Sequence, residues 1–203
     1  ELLLRRALES CADLVDEIVI VHDGPCQDKS LKIARQFTDK VFIEKKIGSA
    51  EPHRPFSFAQ AKNEWILQLD ADEYLAEDFK KALPELIKKN VVGYKVKWLE
   101  EYKGRYLFNM VKEVLFKKSH VYFLGAPMEY VKPVNAKQQL SFAPVSLMNN
   151  PLTSKSNYHS WSGYRTKYSS FAKIQAKLCN TPFNEISKWN YSKLDWEPRT
   201  RLK

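Results

Sequence analysis

Residues 65–73, Trp-Ile-Leu-Gln-Leu-Asp-Ala-Asp-Glu, decide the fold class that this chain is expected to adopt. The first five residues form a short and mostly apolar run, as in a buried strand of a parallel sheet. Asp70 and Asp72 follow directly, so two carboxylates lie where the strand ends. Helical spacing then predicts a helix from Glu77 to Lys89. Its predicted core-facing residues are Leu83, Leu86 and Ile87.

Toward the N-terminus, helices and strands alternate. Helical spacing runs from Leu3 to Val15. The elements predicted after it are a strand at 17–21 ending in the turn 22–25, a helix from 30 to 37 capped by Ser30, a strand at 40–43 and a short helix at 58–63. This alternation predicts a right-handed α/β fold with a mostly parallel sheet flanked by helices. Ligands of such sheets bind beyond the carboxyl ends of the strands, so Asp23 and Asp70 are expected at one edge.

The pattern becomes β-rich from residue 92 to residue 147. The predicted strand segments are Tyr94–Trp98, Val114–Phe116 and Val121–Leu124, with a chain reversal at Lys103-Gly104. This half is expected to be mixed or antiparallel. Residues 161–178 return to helical spacing. We therefore predict one domain over 1–150 and a helical, basic extension over 151–203 that packs on it.

Length and composition are those of a globular chain. Its 203 residues are 44% hydrophobic, enough to bury one sizeable core. The chain starts without Met in what reads as the middle of an amphipathic helix, so an element before this helix is expected in the complete protein. Three cysteines without paired spacing argue against a disulfide framework and a zinc site, which favours a cytoplasmic location. No apolar run approaches the roughly 18 to 20 residues of a membrane span.

Positive charge is concentrated toward the C-terminus. The net charge is +9, and residues 151–203 hold ten Lys and Arg against three acidic residues. A solvated basic surface, an anionic membrane surface and a polyanionic ligand all remain open as interpretations. No nucleic-acid-binding motif accompanies the charge, so no nucleic-acid partner is expected.

Asp70 and Asp72 are the first candidates for chemistry. Two carboxylates so close repel each other, and a hard divalent cation would relieve that repulsion. Mg²⁺ and Mn²⁺ prefer oxygen ligands, commonly one or two carboxylates with water and substrate phosphates. A solvated loop or a helix cap is the alternative for an Asp-x-Asp sequence.

Asp23 and Arg54 are further candidates near the same edge. Asp23 could accept hydrogen bonds from a base or ribose, or instead form an Asx turn before Gly24. Arg54 could bind a diphosphate with two hydrogen bonds, although a lone loop arginine is more often solvated. Dinucleotide oxidoreductases and P-loop enzymes are excluded, because the six glycines form neither of their phosphate-binding motifs.

Two segments of the chain resemble the donor-binding half of family 2 glycosyltransferases. They are DEIVIVHDGPCQDKSLKIA (16–34) and AQAKNEWILQLDADEYL (59–75), and the similarity spans roughly residues 2–75. The resemblance implies the GT-A fold, a nucleotide-diphosphate sugar, most simply a UDP-sugar, and Mg²⁺ or Mn²⁺. It places Asp23 near the base, Asp70 near the ribose or sugar, and Asp72 on the metal. The subgroup that the chain resembles includes the lipopolysaccharide-core glucosyltransferases.

The resemblance continues into the β-rich half at residues 115–118 and 123–130. It makes Glu129 the candidate base for the acceptor hydroxyl, with a surface carboxylate after a turn as the alternative. It also makes His159 a candidate metal ligand, although a structural histidine is more common. Residues 1–90 then form a donor half and residues 91–150 an acceptor half.

Some residues depart from the family pattern. His22 stands where relatives often have a second Asp, Pro55 where Asn is common, and Met128 where His often precedes the base. The function expected is inverting transfer of a sugar to a hydroxyl of an envelope glycan or lipid-linked acceptor, at the inner face of the cell membrane. A retaining transferase or nucleotidyltransferase on the same fold, and a non-catalytic module that binds membranes or polyanions, are the alternatives.

Overall fold

A computed structural model of the chain describes residues 1–102, 105–123, 125, 130–149 and the single positions 165, 169 and 172. Its helices are α1 (Leu2–Cys11), α2 (Ser30–Ala34), α3 (Arg54–Gln60) and α4 (Glu77–Leu86). Its strands are β1 (Ile20–Asp23), β2 (Val41–Glu44), β3 (Trp65–Leu67), β4 (Glu73–Leu75), β5 (Gly93–Tyr102), β6 (Arg105–Lys117), β7 (Val121–Tyr122), β8 (Lys132–Pro133) and β9 (Ser141–Asn149). Single 3-10 turns form at Ala12–Leu14, Glu51–His53 and Lys118–His120.

The strands form one large mixed sheet and two small sheets. β1 and β2 pair in parallel, and β7 pairs antiparallel with β8. The large sheet has the order β3-β6-β5-β9-β4, in which β5 and β9 are parallel and the other pairs are antiparallel. The predicted α/β class is confirmed, and so is the mixed character of residues 92–147. The parallel pairing expected of the strand at 65–69 is not seen in the large sheet, where β3 pairs antiparallel with β6.

β3 and β4 lie at opposite edges of the large sheet, although residues 68–72 alone connect them. We call residues 68–72 the crossing segment. It contains both carboxylates of the Asp-x-Asp sequence. A connection this short between the two outer strands must pass along the end of the sheet, because it has to cross the ends of β6, β5 and β9.

Two hydrophobic clusters form the core. The first lies between the large sheet and helices α1 and α4, and it includes Phe79, Val96, Val114 and Leu147. The second joins α3 to β6 and β7 through Phe58, Ile66, Phe116, Val121 and Phe123. Phe58 meets the rings of Phe116 and Phe123 edge to face, with centroids 5.3 and 6.1 Å apart. The second cluster thereby fixes α3, and with it Arg54, against the sheet.

The helix predicted at 58–63 instead begins at Arg54 and ends at Gln60. Pro55 explains the earlier start, because proline suits the first turn of a helix, where its missing N–H leaves no donor unpaired. Arg54 therefore lies in the first turn of α3 and not in a loop. The reversal predicted at Lys103-Gly104 is supported on both sides, since Tyr102 of β5 faces Arg105 of β6.

Other helix boundaries and burial patterns also differ from those predicted from the sequence. α2 ends at Ala34, and Ser30 does not cap it, since the Asp28 carboxylate accepts the Ser30 N–H at 2.8 Å. Within α4 the fully buried residue is Phe79, whereas Ile87, predicted to face inward, is 41% exposed. The reason is that α4 ends at Leu86, so Ile87 is only its C-cap.

The extension predicted at 151–203 lies outside the described residues, apart from three helical and exposed positions, Arg165, Ser169 and Ala172. Its boundary at residue 150 stays a prediction. None of the helices in the described part of the chain is long and apolar enough to cross a membrane.

Candidate functional site

A cleft of about 220 Å³ lies around the crossing segment. Arg54, Asp70 and Asp72, all predicted from the sequence as site residues, line it together. Glu73, Trp98, Met110, Lys112, Glu113 and Tyr130 line it as well. The cleft therefore joins the proposed donor motif to strands β5 and β6 of the half that follows it.

Asp70 is held between two cationic side chains. Arg54 Nη2 lies 2.8 Å from Oδ1, and Lys112 Nζ lies 2.8 Å from Oδ2. Burial alone would raise the pKa of Asp70, but the charges of Arg54 and Lys112 outweigh it and lower the pKa to about 2. Asp70 is therefore ionised at neutral pH. Arg54 is not the solvated arginine of the alternative interpretation, since its side chain is 13% exposed.

Glu73 is the buried centre of this network, with 1% of its surface exposed. Its Oε2 accepts the Asp70 backbone N–H at 2.9 Å, and its Oε1 accepts Trp98 Nε1 at 2.7 Å. Lys112 Nζ also donates to Oε1. Burial, followed by the charge of Asp70, raises the pKa of Glu73. These bonds tie one end of the crossing segment to the inner strands β5 and β6.

Asp72 has no ion pair among the described residues. Its side chain bonds with that of Asn149, at the end of β9. Burial, followed by the charge of Asp70, raises the pKa of Asp72. A carboxyl group in this position gains from a cation that approaches through the cleft.

A resident metal site is not formed by the described residues, in which no group of three or more His, Cys, Asp or Glu side chains could hold an ion. Asp72 alone does fit a cation that arrives with a diphosphate, because Mg²⁺ is commonly held by one or two carboxylates, substrate phosphates and water. Asp70 fits this role less well, since both of its oxygens already bind cationic side chains.

Asp23 ends β1 and does not line the cleft. Its Oδ1 accepts Ile47 N–H at 2.6 Å and lies 2.8 Å from His53 Nε2, and its Oδ2 accepts Gly48 N–H at 2.7 Å. Burial acts to raise the pKa of Asp23, but the hydrogen bonds from Ile47, His53 and Gly48 hold it below its ordinary value. This arrangement differs from the Asx turn considered above, because the donors come from a distant loop. Three of about four acceptor positions on the carboxylate are used.

Gly24 makes the turn after Asp23 possible. Its φ is +84°, and an added Cβ would lie 2.6 Å from the Cβ of Lys46. Only glycine fits a left-handed residue so close to another backbone segment. The loop that carries the N–H donors of Ile47 and Gly48 can thus approach β1.

Glu129 and His159, the predicted base and metal ligand, lie outside the described residues. Their predicted roles therefore stay predictions.

Sequence reasoning missed Lys112, Glu73, Trp98, Glu113 and His53. A charged pair, Lys112-Glu113, inside the apolar strand β6 was the available signal, because buried charges are usually paired or functional. Among the described residues, Glu113 Oε2 is buried without a hydrogen-bond partner, and its Oε1 is 3.6 Å from Lys95 Nζ. Which partners these side chains have depends on tertiary contacts that no local pattern shows.

A parallel β-strand pair, a mixed sheet and an acidic crossing segment that opens into a cleft define the class of the protein. This is the GT-A fold of nucleotide-diphospho-sugar transferases. Residues 1–142 match the family described as Glycosyl transferase family 2, and the chain belongs to this family.

Its relatives include uncharacterized glycosyltransferases of Rickettsia. The protein of Rickettsia typhi is 26% identical over 105 residues, covering 50% of this chain and 35% of that protein. The protein of Rickettsia felis is 33% identical over 75 residues, covering 37% of this chain and 26% of that protein. The chain thus spans about a third or less of the length of these curated relatives.

Proposed function

We propose that this chain carries the donor site of an enzyme that transfers a sugar from a nucleoside-diphosphate sugar, bound with Mg²⁺ or Mn²⁺, to a hydroxyl acceptor. The observation that carries the proposal is the imbalance of charge in the cleft. Five carboxyl groups, of Glu51, Asp70, Asp72, Glu73 and Glu113, line it with only two cationic side chains, of Arg54 and Lys112, among the described residues. A diphosphate would be repelled there unless a divalent cation accompanied it.

Each side chain of the site is proposed to bind a different part of the donor or the metal. Asp72 is proposed to hold the metal, and His159 to complete its ligand set. Asp70 is proposed to accept hydrogen bonds from ribose or sugar hydroxyls, and Arg54 to donate to the diphosphate. About one acceptor position of the Asp23 carboxylate remains free of hydrogen bonds from the described residues, and it is proposed to bind the base. A bound divalent cation would offset the negative charge of the departing diphosphate.

Glu129 is proposed as the base. In a single displacement, the acceptor oxygen forms a bond with the anomeric carbon while the bond from that carbon to the diphosphate oxygen breaks. The bonding electrons leave with the nucleoside diphosphate, and the hydroxyl proton passes to the Glu129 carboxylate. Attack from the face opposite the leaving group inverts the configuration. Retention in the product, measured by NMR, would contradict this step and favour a retaining transferase.

The acceptor is proposed to be an envelope glycan or a lipid-linked saccharide, as in the lipopolysaccharide-core subgroup that the sequence resembles. The basic composition of residues 151–203 supports work at the inner face of the cell membrane. We expect the protein to sediment with vesicles that contain anionic lipid and not with neutral vesicles. Equal recovery with both kinds of vesicle would argue against peripheral membrane binding.

The test of the donor site is calorimetric binding of UDP with and without Mn²⁺. We expect binding that needs the metal in the wild type and is lost in Asp72→Asn, because the substitution removes the proposed metal carboxylate. Asp13→Asn is the matched control, since Asp13 is exposed and lies in a 3-10 turn outside the cleft. Metal-dependent binding that survives in Asp72→Asn would refute the role of Asp72. If no nucleoside diphosphate binds the wild type, the proposal of a donor site is wrong.

A further inference from the structure

Lys112 has a contact pattern that the proposed transfer reaction does not by itself require. It belongs to β6, where it lies opposite Val96 of β5, in the middle of the large sheet. Its side chain is 14% exposed. Its ammonium bridges Asp70 Oδ2, at 2.8 Å, and Glu73 Oε1. One largely buried cation therefore binds Asp70, inside the crossing segment, and Glu73, which follows the segment.

The position of the crossing segment gives this bridge its importance. The strands before and after the segment, β3 and β4, are bonded to different partners at opposite edges of the sheet. Backbone bonds hold the segment at its ends, where the Gln68 N–H donates to Val114 O at 2.7 Å and the Glu73 N–H donates to Asp70 O at 3.0 Å. Contacts between the sheet and the middle of the segment must therefore come largely from side chains. Lys112 from β6 and Trp98 from β5 both reach Glu73, and Glu73 accepts the Asp70 N–H.

We infer that Lys112 is a positioning residue of the donor cleft, which anchors the crossing segment to the inner strand β6 so that Asp70 and Asp72 face the donor before it binds. The inference rests on the proposed function for the identity of the donor. A site held in its binding geometry loses less freedom when the ligand arrives, which strengthens binding.

Electrostatics explain why a cation is needed at this position. Asp70 and Glu73 lie close together and mostly out of water, so their charges repel each other. Lys112 offsets the charges of both carboxylates at once, whereas Arg54 forms an ion pair with Asp70 and not with Glu73. Burial acts to lower the pKa of Lys112, but the charges of Asp70 and Glu73 outweigh it and raise the pKa, so the side chain stays charged.

The experiment compares Lys112→Met, Lys112→Arg and the control Lys117→Met with the wild type. Lys117 lies on the same strand, and its ammonium is 5.3 Å from the centre of the Trp65 ring, outside the cleft. The first measurement is hydrogen exchange of the Asp70 amide in the ligand-free protein. We expect exchange about tenfold faster in Lys112→Met, equivalent to about 1.4 kcal/mol of lost local protection. Lys112→Arg should restore most of the protection, and Lys117→Met should leave it unchanged.

The second measurement is calorimetric binding of UDP with Mn²⁺, which should weaken about tenfold in Lys112→Met and recover in Lys112→Arg. Wild-type exchange in a folded Lys112→Met protein would overturn the inference, because it would show that the segment does not depend on this cation. Failure of Lys112→Arg to recover either quantity would also overturn it. If the wild type binds no UDP, the proposed function is wrong, but the exchange measurement still tests whether Lys112 anchors the crossing segment.

Lys112→Met could fail to fold because it leaves the buried Glu73 carboxylate facing Asp70 without the ammonium that bridges them. The double variant Glu73→Gln with Lys112→Met removes one charge of each sign and keeps an oxygen acceptor for the Asp70 N–H. We expect it to fold and to show faster exchange at Asp70 than the single variant Glu73→Gln. Equal exchange in the double variant and in Glu73→Gln would contradict the anchoring role of Lys112.

Discussion

Three acidic residues within four positions have different roles because they have different partners. Asp70 is neutralised by Arg54 and Lys112, Glu73 is buried under Trp98 and Lys112, and Asp72 bonds Asn149 without an ion pair among the described residues. Accordingly the pKa of Asp70 is lowered to about 2, whereas the pKa values of Glu73 and Asp72 are raised. The partners, not the residue type, decide which carboxylate is left for a cation.

Glu73→Gln should destabilise the protein by about 1 to 3 kcal/mol, the usual cost of leaving a buried polar group with a missing partner. The two oxygens of Glu73 accept from three donors, and a glutamine amide has only one oxygen to offer. The measurement is the free energy of unfolding in urea at neutral pH.

Glu85→Gln is the matched control for this prediction. Glu85 is 71% exposed and pairs with Lys88 on the surface, so its substitution should change the free energy of unfolding by less than about 0.5 kcal/mol. Equal effects of the two substitutions would show that the buried network around Glu73 adds no stability.

Asp23 should make the stability of the fold depend on pH. Hydrogen bonds from Ile47, His53 and Gly48 hold its pKa in the folded protein below the ordinary value of 3.8. A group with a lowered folded pKa adds stability above its unfolded pKa, and that stability is lost as the pH falls through the folded pKa. The wild type should therefore lose more stability than Asp23→Asn between about pH 6 and about pH 3.

Urea unfolding at several pH values within that range checks this prediction, with Asp13→Asn as the exposed control. The control should follow the wild-type profile. Parallel profiles for the wild type and Asp23→Asn would mean that the carboxylate gains nothing from its three donors.

Each element around the cleft is positioned by contacts with distant parts of the chain. α3 brings Arg54 to Asp70 because Phe58, one turn later, packs against Phe116 of β6 and against Phe123. β4 begins at Glu73 because this edge pairs with the end of β9, where Glu73 faces Asn149. The crossing segment is thus held at both ends by strands and in its middle by side chains.

Phe58→Ala should lower the free energy of unfolding by about 3 to 5 kcal/mol, the range for removing a buried aromatic side chain. Phe58 is 5% exposed, and its loss would leave a cavity between α3 and β6. UDP binding should weaken in the folded fraction as well, since α3 carries Arg54. Urea unfolding and calorimetry measure the two effects.

Phe142→Ala on β9 is the control for Phe58→Ala. Phe142 is 55% exposed, so its substitution should have a much smaller effect on stability. A loss of stability as large as that of Phe58→Ala would contradict the proposed importance of the cluster under α3.

At the scale of the whole molecule, the sequence predicted what short-range patterns control. The α/β class, the acidic motif after an apolar strand and the chain reversal between β5 and β6 follow from apolar periodicity and local turn signals. The resemblance of two quoted segments to family 2 glycosyltransferases indicated the family, which the family match over residues 1–142 shows. Periodicity works here because a helix or strand buries one face whatever element covers it. Boundaries were less certain, as the early start of α3 at Arg54 shows.

The tertiary structure alone decided which groups meet. The order β3-β6-β5-β9-β4 places β3 and β4, which follow each other in the chain, at opposite edges of the sheet. That order brings Lys112 and Trp98 to the residues on either side of Asp72. Lys112 and Asp70 are 42 positions apart, so no local pattern can predict their ion pair. The sequence by itself therefore determined the class of protein and its acidic motif. The three-dimensional fold decided the direction in which the pKa of each carboxyl group is shifted, because that shift depends on partners that only long-range packing brings within reach.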